Sequence, residues 1–378
     1  MSGLERPARP GSAKRHGAGP TRPAGAGGRA EGQGPRTDWP EAERLAGSVV
    51  QFGGGAVRAV LLYGSRLLGA APDRHSALDF VVVVTDYGRF YRGLAVAGEL
   101  HRPVWMMTWL ARVLPPNAVA FAPEGGREGI AKCLVVSTRH LECALGPAPP
   151  DHLLLGRLVQ RVGVVWTAGP EAAAWVGERL DEGRGGVLRW MAPYLEGPFD
   201  AEELGRHILE VCYRGELRPE AGDRAERVFQ AQAPHFRSVL RPVLEREADT
   251  GFLRRTGGKY ELAAPVPPRV RRRWRRHFRR SKARATARWL KHTVTFANWL
   301  PYIERKVRRR TGKSVELTAL ERKLPLVFLW PRAMLVLLTR PEREAPASGA
   351  ESANETRSAT DPDSGTGADP DPRTATEP

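Results

Sequence analysis

The chain has 378 residues, a formal charge of +17, 40 glycines, 32 prolines and three cysteines. Its length fits one large domain or two ordinary ones. With no apolar secretory core at the start and no metal-ligand spacing among Cys133, Cys143 and Cys212, the composition argues against a disulfide scaffold or a cysteine metal module. Those three residues are expected to be reduced core thiols of a cytosolic protein.

Residues 1–37 are Gly, Pro, Ala and Arg with almost no large apolar side chains, and 341–378 are Ser, Thr, Asp, Glu, Pro and Gly. Neither stretch buries enough apolar surface to offset its chain entropy, so both are expected to be disordered tails, the first basic and the second acidic. Between them, Glu41 to Phe52 has the spacing of a helix with Leu45, Val49 and Val50 on its apolar side. Residues 56–62 form a β-rich apolar run closed by Gly64-Ser65, and RLLGAAPDRHS follows as a short helix or turn. Leu78 to Val84 is an almost unbroken buried strand, interrupted by the carboxylate of Asp79. A buried carboxylate without a partner is costly. A metal ligand accounts for it, and so does a strand-end hydrogen bond or ion pair.

A strand, Gly-Ser, a helical turn and a strand bearing Asp is similar to the layout of the nucleotidyltransferase fold. In that layout Gly64 lets the backbone approach a triphosphate. Ser65 and the amides after it hold phosphate oxygens. Asp79 holds Mg²⁺ against the pyrophosphate leaving group. Where the fold has a second acid two positions on, this chain has Val81. Asp86 is the next carboxylate; at an odd spacing from Asp79 it joins the metal site only if the chain turns after Val84.

More specific blocks follow in order: Tyr63-Gly64-Ser65, LDFVVVVTD at 78–86, IAKCLVVSTRHLECAL at 130–145, LLGRLVQRV at 154–162, CYRGELRPEAGD at 212–223 and QAPHFRSVLRPVL at 232–244. Together, over roughly residues 56–245, they resemble the mitochondrial translocator-maintenance family, whose members are CTP:phosphatidate cytidylyltransferases. The resemblance places Lys132 on the family's lysine. It carries over Gly156 and Arg157, then Tyr213, Gly215, Glu216, Arg218, Gly222 and Asp223, then Phe236 and Arg237. It also departs. The family's Trp-His after the Asp strand is Phe90-Tyr91, its Tyr-Gly after the lysine is Cys133-Leu134, and HRPVWMMTW at 101–109 stands in place of a His-Tyr-Ser block.

The resemblance implies Mg²⁺-dependent transfer of CMP from CTP to phosphatidate. Asp79, Ser65 and Lys132 would be catalytic, and Gly64, Ser65, Lys132, Arg157 and Arg218 would contact the nucleotide. Asp79 would bind the metal, joined by Asp86 if the chain turns after Val84. Arginine binds phosphate in a bidentate way and lysine as a point charge; the alternative for each is a surface charge lying over apolar neighbours.

The expected organisation is mixed α/β. A nucleotidyltransferase domain spans 38–150, a helical domain 151–250 and a basic, Trp-rich membrane-binding arm 251–340. From Arg269 to Lys291 there are 12 Lys or Arg and no carboxylate. Trp274, Phe278, Ala285, Trp289, Phe296, Trp299, Ile303 and Val307 fall near a helical period within 269–310. Such a surface meets phosphates of lipid or nucleic acid. Aromatics along one helical face favour an anionic membrane, whereas RNA binders present them on sheets or loops. LPLVFLWPRAMLVLL at 324–338 is too short and broken to span a bilayer, at roughly 22 Å as a helix against a core of roughly 30 Å. A peripheral location on the cytoplasmic membrane follows. Two other readings stay open: a nucleotidyltransferase acting on RNA or protein, and a non-catalytic membrane scaffold.

Overall fold

In a computed structural model of the protein, the residues described are 39–69, 77–100, 102–123, 129–215 and 224–295. The tails, the apolar stretch 324–338, Arg218 and the part of the arm beyond Thr295 lie outside them.

The chain is mixed α/β. Helix α1 (Pro40–Phe52) starts with Pro40 in its first turn and Glu41 and Glu43 beside its positive end. Then come β1 (Val57–Tyr63), the single turn α2 (Ser65–Leu68) and β2 (Leu78–Val84). Next are α3 (Tyr87–Val96), α4 (Val104–Val113), β3 (Asn117–Phe121) and β4 (Ala131–Ser137). These are followed by α5 (Thr138–Leu145), α6 (His152–Leu158), β5 (Gly163–Thr167), α7 (Pro170–Gly185) and α8 (Val187–Met191). The rest comprises α9 (Ala201–Arg214), α10 (Arg224–Gln230), α11 (Ala233–Asp249), the strands β6 (Leu253–Thr256) and β7 (Lys259–Leu262), and α12 (Pro268–Thr295).

Five strands form one sheet in the order β3-β4-β2-β1-β5. The pair β2–β4 is parallel, and β1–β2, β1–β5 and β3–β4 are antiparallel. Strands β1, β2 and β4 are covered on both faces, so they read as continuous apolar runs rather than alternating ones. One face carries Val60, Leu62, Phe80, Val82 and Val135 against α1, α3 and α4. The other carries Leu61, Val81, Val83, Leu134 and Val136 in one cluster with residues of α5 to α11 and Trp274 of α12.

That shared cluster corrects the expected boundary at residue 150. Strand β5 comes from the supposed helical region and pairs with β1, and the helices that follow bury their apolar faces on the sheet itself. Helix α9 begins with a capping box. Asp200 accepts from the amides of Glu202 at 2.8 Å and Glu203 at 2.9 Å, and the Glu203 carboxylate accepts from the Asp200 amide at 2.8 Å. The expectation for the thiols needs one change: Cys133 and Cys212 are buried, but Cys143 is exposed.

The basic arm also needs correcting over its described part. It opens with the β6–β7 hairpin, and α12 then packs on the protein's own core. Trp274 is buried and Phe278 half-buried against the helical cluster. Ser281, Arg288, Lys291 and Thr295 continue the same buried face. The aromatic period found in the sequence is therefore an inward face as far as residue 295. Outward, Arg269, Arg271, Arg272, Arg273, Arg275, Arg276, Arg279, Arg280 and Lys282 are exposed with no acid among them. No helix among the described residues is long and apolar enough to cross a membrane.

Several buried bases make stability depend on pH. Burial, then the charge of His277, pushes His152 down to about 4. Burial and Arg184 push His235 down to about 4 as well. Between pH 4 and the ordinary histidine value of 6.5 the unfolded chain binds protons that the folded chain does not, so stability rises with pH across that window. The limit is about 1.4 kcal/mol per pH unit for each histidine. Thermal melts should show Tm climbing from pH 4.5 to 6.5, with a shallower slope in His235→Asn; a flat wild-type profile would contradict this assignment.

Candidate active site

The site is built at one end of the sheet, where β1 stops and β2 and β4 begin. Antiparallel pairing sets Tyr63 opposite Asp79, and parallel pairing sets Asp79 opposite Lys132. Register partners project to the same face, so the Asp79 and Lys132 side chains share the face that also carries Val81 and Leu134. Each is the one residue of its strand that is not fully buried. The core ends there and a polar ligand can begin.

Gly64 shapes the turn that follows β1. Its φ is +86°, and a Cβ at this position would lie 2.8 Å from the Asp79 Oδ2. The backbone thus passes directly over the carboxylate, which only glycine permits. Ser65 opens α2, and the Gly64 carbonyl accepts from the amides of Leu67 at 3.1 Å and Leu68 at 3.2 Å. Gly64→Ala should cost about 1–3 kcal/mol through the positive φ alone and should displace the Asp79 carboxylate. The expected result is a lowered urea midpoint together with weakened nucleotide binding; retention of both would remove Gly64 from the site.

Arg157 reaches the same corner from α6. Its guanidinium lies 6.0 Å from the centre of the Tyr63 ring, and its Nη1 donates to the Leu153 carbonyl at 2.8 Å. Gly64, Ser65, Asp79, Lys132 and Arg157 therefore lie toward one corner of the sheet. Asp86 does not. It lies beyond the far end of β2, after Val84, which is about 16 Å farther along the strand than Asp79. There it caps α3, accepting from the Arg89 amide at 2.7 Å, with Arg112 3.8 Å away. The chain does turn after Val84, but away from Asp79. Val81, at the position of the fold's second acid, is fully buried in the core. No group of three or more His, Cys, Asp or Glu gathers as a metal site among the described residues. Asp79 is the carboxylate opposite Lys132 in register, and Glu41 of α1 is bonded to Arg66, next to Ser65. Of the later blocks, Phe236 is core and Arg237 pairs with Glu202 at the surface.

The inner face of α12 is the part that the sequence reading missed. Asp151, just before α6, accepts from Arg284 Nε at 2.8 Å and is also bonded by Arg288. Burial opposes its charge, but Arg288 and Arg284 hold the carboxyl below its usual range. Arg288 also donates to the Pro115 carbonyl at 2.8 Å. Lys291 donates to the carbonyls of Leu114 and, at 2.7 Å, Pro116. Burial, then Arg288 and Arg284, pushes the Lys291 ammonium down to about 6. His292 is pushed down to about 3 by burial and neighbouring cations, Lys132 among them. Helix α12 packs on β3, whose Ala120 is the register partner of Lys132. The available signal was positional: Arg288 follows Trp274 and Ser281 at intervals of seven, on the face that packs inward.

No known protein family and no curated protein matches this chain. What the fold and site define is a mixed α/β protein with a glycine turn, a carboxylate and a lysine assembled at one end of a five-stranded mixed sheet.

Proposed function

We propose that this protein is a nucleotidyltransferase that transfers CMP from CTP to phosphatidate, giving CDP-diacylglycerol and pyrophosphate. The observation that carries the reading is the Gly64 backbone lying over the Asp79 carboxylate, with Lys132 in the adjoining register position. Such a corner accepts a triphosphate along the backbone and offers one anionic and one cationic side chain to it. The cytidine and lipid parts of the reading come from the six ordered blocks of the resemblance.

Asp79 fits Mg²⁺. That ion keeps several waters and commonly takes only one or two protein carboxylates beside substrate phosphates. When bound it would neutralise charge building on the pyrophosphate. A phosphate oxygen of the acceptor attacks the α-phosphorus of CTP, and the bond from that phosphorus to the oxygen bridging the β-phosphate breaks. Lys132 supplies a fixed positive charge to the triphosphate, and Arg157 stands behind Tyr63 to do the same. The acceptor phosphate is already ionised near neutral pH, so no general base is required. Catalysis is then positioning and charge stabilisation. Arg218 is retained on the resemblance alone.

A second reading, an RNA acceptor, is favoured by the outward face of α12, where nine exposed bases stand without interleaved aromatics. Pyrophosphate release separates the two readings. It should require CTP, not ATP, GTP or UTP, and should be stimulated by phosphatidate and not by RNA. Stimulation by RNA alone would replace the lipid reading with the second.

A further inference from the structure

Helix α4 carries an exposed apolar stripe that neither the fold nor the proposed site uses. Trp105, Trp109 and Val113, spaced four apart, are 72%, 58% and 57% exposed, while Met107 and Ala111 on the opposite side are buried. Four-residue spacing aligns the three on one face, pointing away from the core. The stripe lies within and just beyond HRPVWMMTW, the segment that departs from the resembled family.

The stripe does not stand alone. Both ends of α4 are tied to the end of the basic helix α12. Arg102, just before α4, donates to the Val294 carbonyl at 3.1 Å, and Lys291 bonds the carbonyl of Leu114, just after it. Leu290 is 50% exposed on α12 and lies on the helical face of Arg272 and Arg279. The exposed apolar stripe thus lies beside the C-terminal turns of α12, whose exposed bases, Arg269 to Lys282, begin about 13 Å farther back along the same helix.

We infer that α4 is the face by which the protein docks on an anionic phospholipid surface. Trp105, Trp109 and Val113 enter the headgroup boundary, and the outer arginines of α12 meet the lipid phosphates. Tryptophan suits this depth because its ring is apolar and its N–H stays hydrated. The charge argues for an anionic bilayer over a neutral one, since each base near such a surface adds to its attraction. Docking then depends on α4, whereas the inward aromatics of α12 hold the basic face in place. The inference goes beyond the proposed reaction and is tested with a lipid that is not the proposed acceptor.

The test uses the full chain in sedimentation with phosphatidylcholine vesicles, with and without phosphatidylserine. Wild type should bind only the anionic vesicles. Trp105→Ala/Trp109→Ala should bind them at least tenfold more weakly, with an unchanged Tm as the folding control. Brominated phosphatidylserine vesicles should quench wild-type tryptophan fluorescence more than that of Trp105→Phe/Trp109→Phe, a variant that keeps most of the apolar surface. Wild-type affinity in the alanine variant would overturn the inference. So would a concentration-dependent dimer, seen by sedimentation velocity and abolished by the same substitutions, because the stripe would then cover a second copy of the chain. Transfer of CMP to a soluble short-chain phosphatidate should persist in the variant. Absence of CMP transfer by wild-type protein that binds the anionic vesicles would sink the proposed reaction and leave the docking face standing.

Discussion

Asp151→Asn should destabilise the protein by about 3–5 kcal/mol, the usual consequence of removing one member of a buried ion pair. Asp151 is 4% exposed and its partner Arg288 is 3% exposed. Without the carboxylate, the Arg288 guanidinium and the already destabilised Lys291 ammonium are left together in the interior with Arg284. The substitution also weakens the cap of α6, where Asp151 accepts from the Leu153 amide at 3.1 Å. Urea denaturation measures the loss, and the accompanying fall in Tm should be on the order of 10 °C. Arg288→Met alone should cost less, because Arg284 still pairs with Asp151. Asp151→Leu/Arg288→Met should recover much of the single-variant loss, since an apolar pair replaces a charged one. Additive losses in the double variant would mean that the pair does not hold α12 to α6.

Asp79→Asn should lower CMP transfer by on the order of 100- to 1000-fold, as expected when a group that stabilises the developing charge is lost. The amide keeps the shape beneath Gly64 but gives up the negative charge that would hold Mg²⁺. Tm should stay within a few degrees of wild type, because Asp79 is half-buried at the edge of the core and the amide can still form hydrogen bonds. The split between large kinetic and small stability effects is the diagnostic result. A variant that loses stability and activity together would make Asp79 a structural residue. Lys132→Met should weaken CTP binding more than it slows turnover at saturating CTP. Asp86→Asn should leave transfer unchanged, since Asp86 caps α3 at the far end of β2.

The β1–β2 part of the sheet was legible because unbroken apolar runs mark strands covered on both faces, and Gly64-Ser65 and Asp79 interrupt two of them. Strand β5 was not legible. Five residues between two helical patterns carry too little periodicity, and the partner that makes GVVWT a strand is β1, far away in sequence. Asp86 was half legible: its distance from Asp79 required a turn, and an Asp directly before Tyr87-Gly88-Arg89 has the pattern of a helix cap. The inner face of α12 shows the limit most clearly. Periodicity placed Arg288 on the same side as Trp274, but a run of 12 bases gives no sign of which are buried. That is decided by Asp151, a partner 137 residues earlier.

The proposed reaction moves the CMP unit of CTP to a lipid phosphate. The direct measurement supplies phosphatidate vesicles, Mg²⁺ and CTP labelled with ³²P at either the α or the γ position, then separates lipid from water-soluble products. Label should enter the lipid from α-labelled CTP only, and γ label should appear in pyrophosphate. No lipid label from folded, vesicle-bound protein would contradict the account, and lipid labelled from the γ position would make the protein a kinase instead.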